Sequence, residues 1–415
     1  RYIVQKSTAA TLDFAAVMAQ ASRILAEYEN EFPGLADSTL AAARAAWTWA
    51  RANPAMYYNQ SAMNDAFNPD VWTGEYGDGN VNDEFDWAAM ELFITTKEDS
   101  FLTVRNALSL KDSFFRIPGW PHVRSLGYYS TLHHADEVGY ASELSAIRSQ
   151  MISAANGLRS RAASSPYGIS MSSGDFYWGS NSVAANQGML LLQAYRETGD
   201  ASYLNTALSA LDYLLGRNAT AYSFLTGHGS RSPMHPHHRQ SEADNVTEPV
   251  PGLLAGGPNP GQQDGCAYPS ALPARSYVDS WCSYASNEIA INWNAPFFYL
   301  AAAIEATFSE SGMPVGTEGL PDRSAAPATV LIQNIAPHPV AAETTIRFRL
   351  GRPSGVTIDV FDLHGRRMAS LMHDRPLGAG EHSVRFDAST VPSGVYFCRI
   401  STDGVTETRP LIVVR

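Results

Sequence analysis

SNSVAANQGMLLLQAYRET at residues 180–198 and, after Gly199 and Asp200, ASYLNTALSALDYLLGR at 201–217 repeat apolar residues at the three- and four-residue intervals of an α-helix. Two amphipathic helices in succession are the expectation there, and the pattern continues outward in both directions. Upstream, TLDFAAVMAQASRILAEY (11–28) keeps Leu12, Ala15, Ala16, Ala19, Ile24 and Leu25 at helical spacing behind a Thr or Ser cap. DSTLAAARAAWTWARAN (37–53), NDEFDWAAMELFITT (82–96), a stretch near 139–162 and NEIAINWNAPFFYLAAAIEAT (287–307) behave alike. Strand alternation is nearly absent before residue 340. The joining segments, among them 56–80 and the whole of 218–286, are long and rich in Gly, Pro, Asn and aromatic residues, which marks them either as functional or as holding elements the pattern does not show. Helices spaced too irregularly for a short repeat fit a helical barrel or toroid whose loops gather at one end.

Residues 309–328, SESGMPVGTEGLPDRSAAPA, are small, polar and rich in Pro and Gly, and read as a linker. Beyond it TTIRFRL places Ile346, Phe348 and Leu350 on one face, and VTIDVF, HSVRF, GVYFCRI and PLIVV follow between turn signals. A small antiparallel β-sandwich is expected over 329–415. The 415 residues carry 29 Lys and Arg against 41 Asp and Glu, a net charge of -12 that disfavours nucleic acid and suits a neutral or cationic ligand. No apolar run is long enough to cross a bilayer. Three cysteines make neither a disulfide framework nor a zinc ribbon; Cys266 and Cys282 could pair and leave Cys398 over. The opening RYIVQKSTAATLDF has neither an initiator Met nor a signal region, so processing or truncation is expected to have removed what came before.

Three stretches carry chemistry. RSPMHPHHRQS (231–241) gathers three histidines and two arginines among prolines. His235, His237 and His238 lack the spacing of a zinc site, and neighbours on an extended chain point to opposite faces; a binding wall and a solvated polar loop both fit. In RSYVDSWCSYASNEIAINWNAP, Asp279 and Glu288 stand nine positions apart among Tyr277, Trp281, Tyr284 and Trp293. A carboxyl held among such groups keeps its proton to higher pH, as a general acid must, although a glutamate in the first turn of a helix is equally explained by the helix dipole. In VWTGEYGDGNVNDEFDWAAMELF (71–93), Asp78, Asp83 and Glu84 with Gly77, Gly79 and Asn80 could offer oxygens to calcium, or Asn82 could cap the helix with the acids in its first turn. Loop aromatics Trp72, Tyr76, Trp120, Tyr177 and Trp178 suit either sugar stacking or packing.

Together these stretches resemble glycoside hydrolase family 9. Ser223 to Thr226, Gly229, Arg231 and His237-His-Arg239 match its first signature in order, and Tyr277, Asp279, Tyr284, Glu288, Ala290, Asn294 and Ala295 match its second. VPGLLAGGPNP, STAATLDFAAVMAQASR, DEFDWAAMELF and FYWGSNSVAANQG also resemble the family, which extends the likeness over 1–308. The resemblance implies a mainly α chain, an (α/α)6 barrel incomplete at its N-terminus, followed by the β-sandwich. It implies endo-β-1,4-glucanase activity on cellulose or related β-glucans with inversion, Glu288 as general acid, and His237 and Asp279 as its catalytic companions. Arg239, His235, Trp178, Tyr284 and Trp120 would contact the glucan. No cofactor is required for the chemistry, and a structural calcium ion is expected at Asp83 and Glu84. The family's Asp-Ala-Gly-Asp motif, which carries the catalytic base, does not occur in the 415 residues. The expectation is a base upstream of residue 1 and a chain inactive as it stands. The tail resembles the carboxy-terminal sorting domain of the type IX secretion system, which implies that machinery as a partner and a secreted or cell-surface protein. Competing readings are a non-catalytic glycan-binding surface protein and an exo-acting glucosaminidase or mixed-linkage glucanase of the same family.

Overall fold

The computed structural model describes residues 3–107, 115–138, 141–244, 246–310, 330–362, 366–402 and 405–414. Its contacts divide the chain into units 1–315 and 316–415. All of the expected linker beyond residue 310 lies outside the described residues.

The first unit is helical: α1 (Thr8–Ala26), α2 (Leu35–Ala52), α3 (Gln60–Ala66), α4 (Asn82–Thr96), α5 (Asp99–Ala107), α6 (Arg124–His133), α7 (Ala135–Val138), α8 (Ala141–Ser164), α9 (Ser180–Thr198), α10 (Ala201–Leu214), α11 (Arg239–Ala243), α12 (Tyr284–Asn287) and α13 (Ile291–Glu310). Ser7 caps α1 by accepting from the Ala10 amide, as the sequence suggested. The six helices without a periodic signal are short or lie inside the loops: α3, α5, α6, α7, α11 and α12.

Two helices are buried nearly all round. In α9 burial extends over Asn181, Asn186, Gln187 and Gln193 as well as its leucines, and in α4 over Asp83, Glu84, Asp86 and Glu91. A helix apolar on one stripe only would leave such polar residues in water; here neighbours cover every side. α9 packs on α10, α13 and α8, and α4 on α1, α5 and α6. Buried polar groups then need partners. Gln193 donates to the Tyr299 hydroxyl at 2.6 Å. Glu91 accepts from Trp87 Nε1 at 3.1 Å and from Ser130 Oγ at 2.6 Å, and pairs with Arg23 at 2.5 Å. Asp86 pairs with Arg105 and, at 3.1 Å, with Arg124.

Apart from the short α11 and α12, the span 218–286 is ordered by single bridges. Leu225 bridges Leu254, Ala255 bridges Ile289, and Glu288 bridges His237, so four loop segments lie side by side. Gly257 fits there because it takes φ 95° and a β-carbon would fall 2.4 Å from the Asn181 side chain. Cys266 and Cys282 form a disulfide across the same region, and Cys398 is free and buried.

The second unit is two antiparallel sheets. β1 (Val330–Ala336), β2 (Glu343–Leu350) and β5 (Gly380–Asp387) form one in the order β1-β2-β5; β3 (Ser354–Asp362), β4 (Arg367–Leu377), β6 (Gly394–Thr402) and β7 (Val405–Val413) form the other as β4-β3-β6-β7. Ile346, Phe348 and Leu350 do share the buried face, against Ile358, Val360, Cys398 and Ile400. β1 and β4 had no period-two signal; both are edge strands, and β4 is exposed along most of its length.

Candidate active site

Glu288 follows α12 with φ -70° and ψ 153°, an extended conformation, and α13 begins only at Ile291. This overturns the reading of Glu288 as a first-turn residue stabilised by a helix dipole. The local backbone groups are spent sideways: Asn287 C=O accepts from the His237 amide at 2.8 Å and Glu288 C=O from the Gly256 amide at 3.0 Å. A helix through 287–289 would break both. The side chain is half-buried, and its Oε2 accepts from Trp178 Nε1 at 3.2 Å. Burial raises the Glu288 carboxyl above the ordinary glutamate range, opposed by the Trp178 hydrogen bond and by His237 and Arg239. The group therefore keeps its proton to higher pH than an ordinary glutamate.

Aromatic rings frame this carboxyl. Trp178 packs on Tyr284 at 5.4 Å, and His237 stacks on Trp281 at 4.5 Å with its edge 5.9 Å from Tyr284. His237 Nδ1 lies 2.8 Å from the Trp281 carbonyl, so Nδ1 donates to that oxygen and Nε2 takes no part in the bond. Trp120 sets its ring against Tyr76 at 6.0 Å; burial first, and then the charge of Glu288, raise the Tyr76 phenol. Tyr76, Trp120 and Trp178 are nonetheless 53%, 50% and 38% exposed, which leaves ring surface open for a ligand.

Asp279 is used differently from Glu288. Its carboxylate accepts from the amides of Met234 at 2.8 Å and His235 at 2.9 Å and from Asn287 Nδ2 at 3.1 Å. Asn287 also donates to the His235 carbonyl at 2.8 Å, and its own oxygen accepts from the Tyr277 hydroxyl at 2.5 Å. Asp279 thus ties the histidine stretch to the segment that carries Glu288. The anchored part of His235 is its main chain; its side chain and that of Arg239 are exposed. Arg231 lies over the Tyr222 ring at 3.9 Å and braces the preceding turn. Asn287 and the Trp281 carbonyl escaped sequence reasoning because neither an amide nor a main-chain oxygen leaves a periodic or charged signal.

Asp83 and Glu84 are buried at the start of α4. Asn82 is not the cap: it is the first helical residue, and its amide is met by Asn80 Oδ1 at 3.2 Å. Asp83 Oδ2 accepts from the Val123 amide at 2.9 Å. Burial, then the charges of Asp83 and Asp78, push the Asp13 carboxyl up to about 7, and burial, then Asp83, pushes Glu84 well above the carboxylate range. Among the described residues Asp13 Oδ1, Asp78 Oδ2 and Glu84 Oε2 are buried without a hydrogen-bond partner, and no group of three His, Cys, Asp or Glu side chains is arranged to hold a metal.

The family profile of glycosyl hydrolase family 9 matches residues 1–301. The chain belongs to glycosyl hydrolase family 9. Its helical unit accordingly shares the (α/α)6 barrel fold of the family's solved structures, of which it supplies the aligned part. A xyloglucan-specific endo-beta-1,4-glucanase of Bacteroides ovatus is 44% identical over 313 residues, covering 74% of this chain and 53% of that protein. Endoglucanase C of Cellulomonas fimi is 34% identical over 351 residues, 80% of this chain and 30% of that one. The chain thus spans about half or less of the length of these curated relatives. A solved Bacteroides ovatus family 9 structure superposes with a TM-score of 0.68 at 40% identity, covering 74% of this chain and 55% of that one. A metagenome-derived family 9 endoglucanase gives 0.66 at 33% identity, covering 73% and 53%. Residues 334–414 match a secretion system C-terminal sorting domain, which directs the protein to secretion or the cell surface. No helix among the described residues is long and apolar enough to cross a membrane.

Proposed function

We propose that the full-length protein is an inverting endo-β-1,4-glucanase acting on cellulose-type or xyloglucan-type β-glucans. The observation that carries this reading is the half-buried Glu288 carboxyl, hydrogen-bonded to Trp178 and bridged to His237, set among exposed aromatic faces. Rings such as Trp178 and Trp120 stack on sugar faces; Arg239 and the free nitrogen of His237 take hydroxyls. Protonated Glu288 then gives its proton to the leaving glycosidic oxygen as the C–O bond breaks and its electron pair passes to that oxygen. Inversion requires a second carboxylate to activate water from the opposite face, roughly 6.5–9.5 Å away. The family's Asp-Ala-Gly-Asp motif does not occur in these 415 residues, and the Asp279 oxygens are already engaged, so this reading assigns that step to no residue here. The relative's printed specificity is the reason to include xyloglucan. Incubating the full-length protein with soluble cellulose derivatives and xyloglucan tests the reading: viscosity is expected to fall well ahead of reducing-end release. Release of single sugars from chain ends, or no hydrolysis of either polymer, would overturn it. Export through the type IX machinery is part of the same proposal and rests on the sorting domain.

Calcium at the start of α4 is a second element of the proposal, motivated by the buried, unpartnered carboxylate oxygens of Glu84, Asp13 and Asp78; binding would have to draw them together, because no three such side chains among the described residues are arranged to hold a metal. Hard cations take such oxygens and remove their mutual repulsion. Asp83 would contribute its remaining oxygen. Calcium at a hundredfold excess over its Kd is expected to stabilise by about 2.7 kcal/mol, or roughly 3–4 °C in Tm over chelator for a unit of this size. The shift should vanish in Glu84→Gln; an unchanged Tm in the unmodified protein would rule calcium out.

A further inference from the structure

Sheets of a two-layer sandwich present apolar residues inward and polar residues outward. The β1-β2-β5 sheet obeys this: its outer face pairs Thr345 with Arg385, Arg347 with Ser383 and Arg349 with Glu381. The β4-β3-β6-β7 sheet does not. Val356, Ile358, Val360, Cys398, Ile400 and Leu411 already fill its inner face. Yet toward one end of its outer face the alternate positions are Phe361, Val395, Phe397, Pro410 and Ile412, while Thr357, Asp359, Arg399, Ser401 and Thr408 keep the rest polar. Strand register joins the apolar positions into one patch, with Phe361 opposite Phe397, Phe397 opposite Pro410 and Val395 opposite Ile412. Val395 and Ile412 are 39% and 36% exposed. Their position opposite one another cannot be accounted for by the sandwich core.

The margin of the patch is basic. Arg399 lies over the Phe361 ring at 4.1 Å, and Arg367, opposite Phe361, stands 3.8 Å from Asp359. Two arginines face one carboxylate, so a complementary surface carries acidic groups at its edge. A second copy of this face would set arginines against arginines. Strand addition at the β7 edge is also disfavoured, because Val340 already donates to the Ile412 carbonyl at 2.7 Å and accepts from Val414 at 2.9 Å, and Pro410 has no amide hydrogen. What remains is a partner laid flat on the face.

We infer that the outer face of this sheet, centred on Phe397, Val395 and Ile412 between Arg367 and Arg399, docks the sorting domain on an apolar, carboxylate-edged surface of a secretion-machinery protein. This rests on the sorting-domain reading of the tail. The test expresses the full-length protein in a bacterium that exports through this route, as wild type, as Val395→Glu/Ile412→Glu, as Arg347→Glu on the other sheet, and with residues 330–415 deleted. The double variant is expected to lower the exported fraction at least tenfold and to accumulate in the periplasm, with protease resistance of the tail unchanged and Arg347→Glu exported normally. If the glutamates loosen the tail, Val395→Thr/Ile412→Thr, which keeps β-branching, is expected to reproduce the loss. Normal export of a folded variant, an equal loss in Arg347→Glu, or a wild-type dimer abolished by the double variant would overturn the inference. Export of the deletion protein would instead overturn the sorting reading beneath it.

Discussion

Glu288→Gln is expected to lower kcat on a soluble β-1,4-glucan by about three orders of magnitude, the middle of the range for a positioned general acid. Binding of a cello-oligosaccharide should change little. Glutamine keeps the shape of the carboxyl and can still accept from Trp178 Nε1, now 3.2 Å from Oε2, but has no proton of the right acidity to deliver. The pH profile separates this role from mere packing. Because burial raises the Glu288 carboxyl, its protonated, active form persists above the ordinary glutamate range, and activity falls as pH rises through the raised value. That alkaline limb should disappear from the residual activity of Glu288→Gln. Trp178→Phe supplies the sign check. The indole hydrogen bond favours the carboxylate, so its loss raises the carboxyl further and moves the limb to higher pH while kcat falls. A limb that moves down, or a glutamine variant with wild-type turnover, would exclude Glu288 as the acid.

Much of this site was legible in the sequence because its chemistry is carried by side chains at fixed intervals. The signatures place His237, Asp279 and Glu288 by order alone, and the structure brings all three segments together through the bridge between His237 and Glu288. What the sequence misjudged was local: helical spacing runs without a break from Asn287 to Thr307, yet the helix waits until Ile291 because residues 287 and 288 spend their carbonyls on neighbouring loops. Tertiary hydrogen bonds outweighed propensity there, whereas at Asn82 a local one did so: the Asn82 amide donates to Asn80 Oδ1 two residues earlier. The helical core was easier, since α9 and α10 each extend for three turns or more and declare their period. Edge strand β4 was hidden for the opposite reason: most of it faces water, so no alternation is imposed on it.

Asp279→Ala is expected to reduce kcat/KM about a hundredfold, the scale of an ångström of misplacement in a site, without removing the alkaline limb set by Glu288. The carboxylate touches no ring that frames the cleft; it accepts from the Met234 and His235 amides and from Asn287. Removing it frees the loop that ends in His237 and Arg239, so the loss should appear mainly in KM for longer oligosaccharides and in faster hydrogen exchange at the two amides. Asp279→Asn keeps one acceptor oxygen and is expected to retain a larger share of activity than alanine. Tyr277→Phe approaches the same link from its buried end. With the tyrosine hydroxyl gone, Asn287 Oδ1 loses its donor, which costs about 1–3 kcal/mol and weakens the hold of the Asn287 amide on both His235 and Asp279. If Asp279 instead exchanged protons with the reaction, alanine and asparagine would be equally inactive, the pH profile would lose a limb, and the amides of 234 and 235 would keep their protection in Tyr277→Phe. Asp279 as a positioning residue requires the reverse on all three counts.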